Sequence, residues 1–138
     1  MTNPPHSHPV RVYYEDTDLA GIVYYANYLK FIERGRSEWV ASLGIDQRAL
    51  RTEDGIVFAV RRVEADYLKP AVFADDLMVT TRLVLVGGAR LVLDQAVLRE
   101  ADLLFQASVT LVCLSVTGAA TRLPQALRAR LAGQIAQS

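Results

Sequence analysis

At 138 residues the chain carries one domain's worth of sequence around a single core, and two full domains would not fit. Fifteen basic and fifteen acidic residues cancel, which leaves no basic footprint for duplex nucleic acid and no polybasic membrane patch. Hydrophobic residues make up 51% of the chain, yet the apolar runs are short and broken by charges, well below the roughly 18 to 20 residues of a membrane span. A soluble protein without membrane insertion is expected.

Met1 to Pro9 lacks the basic, apolar and small-residue regions of a secretory signal and reads as a flexible tail, leaving residues 10–138 as a single domain. The one cysteine, Cys113, cannot form an internal disulfide and sits among Leu111, Val112 and Leu114, which fits a reducing cytoplasm. Val10 to Glu15 is a short strand-like run, and Asp16-Thr17-Asp18 with Gly21 marks a loop after it. From about Asn27 to Leu43 the period becomes helical: Tyr28, Ile32, Gly35, Trp39 and Leu43 recur at steps of three or four, widened by Leu29 and Val40. Asn27 stands where an N-cap is wanted and Gly44 where a left-handed C-terminal residue is wanted.

After a polar stretch from Asp46 to Gly55 the pattern turns β-rich, over Ile56 to Leu68, Leu77 to Val86, Ala89 to Arg99 and Leu103 to Val116. Gly87-Gly88 suits a two-residue hairpin turn, and Glu100-Ala101-Asp102 closes the next pair. Long consecutive strands with short turns predict an antiparallel sheet. A last amphipathic piece, Pro124 to Ile135, spaces Leu127, Leu131 and Ile135 by four. The elements predict an α+β fold in which one long helix is wrapped by a curved antiparallel sheet of about five strands. Leu103 to Leu114 carries apolar residues on both parities, so the second sheet face is expected to be covered by another copy of the chain.

The chemistry is bounded first by exclusion. Both histidines, His6 and His8, lie in the leader, so a Ser-His-Asp or Cys-His device has no core imidazole to activate a nucleophile. There is no phosphate-binding glycine loop, no G-x-S-x-G elbow and no Cys/His set at zinc spacing, and no metal site is expected. Carboxylate chemistry remains, concentrated in Tyr14-Glu15-Asp16-Thr17-Asp18-Leu19-Ala20-Gly21-Ile22-Val23-Tyr24-Tyr25-Ala26-Asn27-Tyr28. Three acids precede a helix whose first N–H groups are unpaired and partially positive, able to stabilise an oxyanion on a substrate carbonyl. A carboxylate just upstream could face that carbonyl as nucleophile or as general base for water. The same spacing also suits acids that merely cap a helix, and from the residues alone both readings stand.

The run Tyr13 to Tyr28, followed by Phe31-Ile32-Glu33-Arg34-Gly35-Arg36, Tyr67-Leu68-Lys69-Pro70-Ala71 and Asp75-Asp76-Leu77, resembles the signature of hotdog-fold acyl-CoA thioesterases. It is nearest the Tol-Pal-associated group, with 4-hydroxybenzoyl-CoA thioesterases as neighbours, and the likeness spans residues 10 to about 117. The resemblance implies Asp18 as the catalytic carboxylate, Asp16 as a structural acid, and Tyr25 as the residue whose backbone N–H meets the thioester carbonyl. The Tol-Pal group often has histidine at this last position, whereas the hydroxybenzoyl-CoA group has tyrosine. A phenol with an ordinary pKa near 10 is no general base at neutral pH, so proton transfer would fall to Asp18 and water.

Gly21, Ile22, Val23, Tyr28 and Phe58 are the expected acyl-binding residues, and Arg62 and Arg90, with Arg61 or Lys69, are candidate cations for the nucleotide phosphates. Glu33 on the helix is more simply a solvated acid beside Arg34 and Arg36. The implied activity is hydrolysis of a short-chain or aromatic acyl-CoA by a homodimer or homotetramer, without cofactors since coenzyme A belongs to the substrate. The rival readings are a non-catalytic acyl-CoA or acyl-carrier binding module and a partner of an envelope complex. A hotdog hydratase would want a core histidine beside its aspartate.

Overall fold

The computed structural model describes residues 4–135. Its organising feature is one five-stranded antiparallel sheet curved around a sixteen-residue helix, α1 (Asn27–Ser42). The strands are β1 (His6–Arg11), β2 (Ile56–Tyr67), β3 (Asp76–Val86), β4 (Arg90–Arg99) and β5 (Asp102–Ser115), in the spatial order β1-β3-β4-β5-β2. Sequential hairpins build β3-β4-β5, while β1 and β2, separated in sequence by α1, take the two edges. A short α2 (Gln47–Ala49) and a π turn over Leu50–Asp54 link helix to sheet, and α3 (Gln125–Ala132) follows the last strand. This is the expected α+β hotdog arrangement.

Alternation sorts each strand into two faces. On β5, Phe105, Ala107, Val109, Leu111 and Cys113 are buried toward α1, whereas Gln106, Ser108, Thr110 and Val112 look outward, Gln106 exposed and the other three only partly so. The helix supplies Tyr28, Phe31, Ile32, Gly35, Trp39 and Val40 to the same core. Gly35 permits the closest approach, because a Cβ there would lie 2.5 Å from Val79 Cγ1. One polar row crosses this interface: Arg36 Nη1 donates to Gln95 Oε1 (3.0 Å), and Gln95 Nε2 donates to Ile32 O (2.8 Å) and Thr81 Oγ1 (2.9 Å). Burial lowers the Arg36 pKa, offset by the nearby Glu33 carboxylate.

Several expectations need correction. Within the supposed leader, residues 1–3 lie outside the described residues, and His6 to Pro9 are not a tail but part of β1, paired from His6 opposite Thr81 to Arg11 opposite Asp76. Pro9 is tolerated because an edge strand can leave one row of its ladder unmade. The strand-like run therefore ends at Arg11, and Tyr14–Asp16 is a turn of 3₁₀ helix. Asn27 does not cap α1: Ala26 holds the cap position, and the Asn27 amide instead donates to Asp16 Oδ1 at 2.9 Å. Leu29 faces solvent and Phe31 takes its place in the core. The β3–β4 turn is shifted by one residue, since Gly87 N–H donates to Arg90 O (2.8 Å) and leaves Gly88-Ala89 as the loop. Gly44, at φ +76, does end α1 in the left-handed region.

Candidate active site

The segment between β1 and α1 folds back on itself through short-range bonds. Asp16, 6% exposed, accepts from Tyr13 N–H (2.8 Å) and from the Asn27 amide (2.9 Å). Asp18 N–H donates to Ile22 O (2.9 Å) and Gly21 N–H to Asp18 O (2.9 Å), closing a tight turn that needs Gly21 at φ +83. Thr17 and Val23 bridge across that turn. The Asp18 carboxylate is solvent-exposed. Its Oδ1 accepts Ala20 N–H at 2.9 Å, while Oδ2 has no hydrogen bond among the described residues.

The loop after β2 buttresses this turn from the other side. Val23 N–H donates to Ala71 O (2.9 Å), Ile22 bridges Val72, and Ala71 N–H donates to the Tyr28 hydroxyl (3.0 Å). Asp75 holds the loop by accepting from Val72 N–H (2.9 Å) and from Arg99 Nη1 (2.8 Å). Burial pushes the Tyr28 hydroxyl above the ordinary tyrosine value, so it stays protonated in this role.

Between turn, helix start and loop lies an apolar cavity of about 290 Å³, lined by Ile22, Val23, Tyr25, Tyr28, Tyr67, Leu68, Lys69 and Pro70. Four of the sequence-predicted site residues, Ile22, Val23, Tyr25 and Tyr28, therefore share one wall, with Gly21 and Asp18 in the turn that carries it. Tyr25 precedes the first turn of α1, and neither its N–H nor that of Ala26 has a hydrogen bond among the described residues. Exposed amides at the positive end of a helix suit an oxyanion or carbonyl oxygen.

Three predicted residues lie elsewhere in the single chain. Phe58 lines a separate groove of about 270 Å³ with Glu33, Arg36, Ser37, Val40 and Leu111. Arg62 is exposed on β2 and paired with Glu64. Arg90 lines a third cavity, about 450 Å³, with Arg61, Gly87, Gly88 and Cys113, and the Arg122 guanidinium lies against Gly88. Arg90 pairs with Val112 and Tyr67 with Phe105, so those two ends are about 23 Å apart along β5 at roughly 3.3 Å per residue. Tyr67, at the start of the Tyr67-Leu68-Lys69-Pro70 run, also lines the cavity and is not among the predicted site residues. An aromatic closing a strand just before a proline was the available signal.

Residues 12–131 match the thioesterase-like superfamily. The chain is 41% identical over 116 residues to the acyl-CoA thioesterase YbgC of Haemophilus influenzae, a match covering 84% of this chain and 85% of that one. It is also 41% identical over 107 residues to the acyl-CoA thioester hydrolase YbgC of Escherichia coli, covering 77% and 79%. Among solved structures, a probable thioesterase from Bartonella henselae superposes with a TM-score of 0.84 at 36% identity, covering 87% of this chain and 99% of the other. With the match running from just after β1 into α3 and the hotdog architecture in place, this chain belongs to the thioesterase-like superfamily.

Proposed function

We propose that the protein hydrolyses acyl-CoA thioesters to a carboxylic acid and free coenzyme A, with Asp18 as the catalytic carboxylate and the Tyr25 backbone N–H as oxyanion donor. The observation that carries this reading is a juxtaposition: the turn that holds the exposed Asp18 also supplies Ile22 and Val23 to the apolar cavity, and Tyr25, whose N–H is unpaired just ahead of α1, lines the same cavity. Two named acyl-CoA thioester hydrolases at 41% identity support the substrate class.

The chemistry follows from charge placement. A thioester carbonyl is less resonance-stabilised than an amide, so no imidazole is required if the developing oxyanion is held. Asp18 either takes a proton from the attacking water or attacks the carbonyl to form an anhydride that water then opens. Either route draws negative charge onto the carbonyl oxygen, where amide donors fixed in advance act with little reorganisation. The departing thiolate of coenzyme A is protonated from solvent or by the acid form of Asp18. Metal and redox cofactors have no part in these steps.

A volume of about 290 Å³ walled by Ile22, Val23, Tyr28 and Pro70 suits a short-chain or aromatic acyl group. Phe58 joins that pocket only across a subunit boundary, and Lys69 at the cavity together with Arg62 and Arg90 are the candidate cations for the nucleotide phosphates. The working form is accordingly a homo-oligomer, dimer or tetramer, in a reducing cytoplasm, open to an acyl-carrier or envelope-complex partner. Among the described residues no helix is long and apolar enough to cross a membrane.

Asp18→Asn tests the assignment. Thiol release from a series of acyl-CoA esters is expected to fall by about 10²-fold or more, with melting temperature and oligomeric state unchanged. Undiminished turnover in that variant overturns the role of Asp18.

A further inference from the structure

The carbonyls on either side of the proposed oxyanion donor are both tied down. Tyr24 O, in the peptide that carries Tyr25 N–H, accepts from Asn27 N–H at 2.8 Å. Tyr25 O, in the peptide that carries Ala26 N–H, stands one residue ahead of the N-cap Ala26 and so outside the α1 ladder. Leu29 N–H donates to Ala26 O (3.1 Å), and Tyr25 O accepts the Tyr67 hydroxyl at 3.0 Å, a bond from β2 across 42 residues of sequence. Three rings box Tyr67 in edge-on contact: Phe105 at 5.0 Å, Tyr28 at 5.5 Å and Tyr25 at 6.1 Å between centroids. Burial, then the neighbouring Tyr25 and Tyr28, push its pKa above the ordinary tyrosine value, which keeps the hydroxyl a donor.

We propose that Tyr67 is a positioning residue, a role that rests on the thioester-hydrolase reading: its hydroxyl locks the Tyr25–Ala26 peptide so that the Ala26 N–H joins that of Tyr25 at the substrate oxyanion. Two consequences favour catalysis. The peptide plane is fixed before substrate arrives, so the donors do not reorganise during attack. A donor on the Tyr25 carbonyl also polarises that peptide and strengthens the Ala26 N–H as a donor in turn. Tyr67 touches no reacting atom in this role and acts through Ala26.

Tyr67→Phe keeps the ring contacts and deletes only the hydroxyl. The expected result is a fall in kcat of about three- to tenfold, the range of one neutral hydrogen bond. KM for the acyl-CoA and the melting temperature should stay at wild-type values, because the lost interaction strengthens only as charge develops. An unchanged kcat overturns the proposal, as does a loss confined to KM or to stability. The second arm replaces Ala26 by lactic acid, turning the Tyr25–Ala26 amide into an ester without an N–H. That change should lower kcat by itself and abolish any further effect of Tyr67→Phe. Fully additive losses overturn the route through Ala26. Wild-type protein that releases no thiol from any acyl-CoA would instead defeat the hydrolase reading, which separates the two failures.

Discussion

Two aspartates two positions apart are put to opposite uses, and the difference is one of solvation. Asp16 is buried, and its two oxygens accept from Tyr13 N–H and the Asn27 amide, so it binds the start of the loop to the start of α1. Asp18 points outward and spends one oxygen on Ala20 N–H. Spacing alone could not separate them, since either acid could have capped the helix; only the resemblance gave them different duties. Asp16→Asn replaces one acceptor with an NH₂ group that must face another donor. The expected cost is about 1–3 kcal/mol of stability, as for a buried donor left unsatisfied, read as a lower midpoint in urea. Turnover per folded molecule should change far less than in Asp18→Asn, and an unaltered midpoint would show that Asp16 does not hold the loop. Tyr67 was the harder residue to see, because its bond to Tyr25 O joins positions 42 apart in sequence and no local period reports such a contact.

Elements were more legible than their junctions. The apolar stripe of α1 and the alternation of β2 through β5 follow directly from period, and their predicted limits fall within two residues of the observed ones. The strand-like run at Val10 to Glu15 overlaps β1 only at Val10 and Arg11, and the start of β1 is hidden because His6-Ser7-His8-Pro9 offers neither alternation nor β-branched residues, and an edge strand facing solvent on one side needs little of either. Gly35 was legible as part of the stripe but not as the point where helix meets sheet. Helix propensity alone would make Gly35→Ala stabilising by about 0.8–1 kcal/mol. A Cβ 2.5 Å from Val79 Cγ1 meets a β-branched side chain with little rotamer freedom, and overpacking of this kind costs about 1–3 kcal/mol. The clash should win, giving a net loss of stability in Gly35→Ala. Adding Val79→Ala to that variant should recover part of it, although Val79→Ala alone removes buried apolar volume. If Gly35→Ala melts above the parent protein, α1 can move away from β3 without cost.

At the scale of the whole molecule the sheet is unfinished. Its outward face has no second layer within the described residues, and β2 ends the strand order β1-β3-β4-β5-β2 with one row of backbone groups unpaired. Such an edge is a template for another strand, and on β2 it is apolar where pairing would bury it, with Val60 and Val63 47% and 37% exposed. Both-sided apolar patterning in β5 hinted at a covering partner, yet which strand meets it was not readable, since strand order depends on the crossover through α1 rather than on any local pattern. The charges on β2 suggest that the occupant is a second copy. Arg62 and Glu64, before and after Val63 in sequence, share the outward face and pair with each other, so a two-fold axis through Val63 sets each Arg62 opposite Glu64 of the partner subunit, twice per interface. Such a pairing would also bring the groove at Phe58 toward the Tyr67 end of the neighbouring cavity, because antiparallel strands align opposite ends. Arg62→Glu should then weaken self-association by about 1–2 kcal/mol, roughly 5- to 30-fold in Kd, from two lost exposed pairs and two new repulsions. Adding Glu64→Arg should restore it, since the exchanged pair is again complementary. Sedimentation velocity across a dilution series reads both, with melting curves to show that the monomer still folds. Equal association constants for the three proteins would place the contact on another part of the sheet.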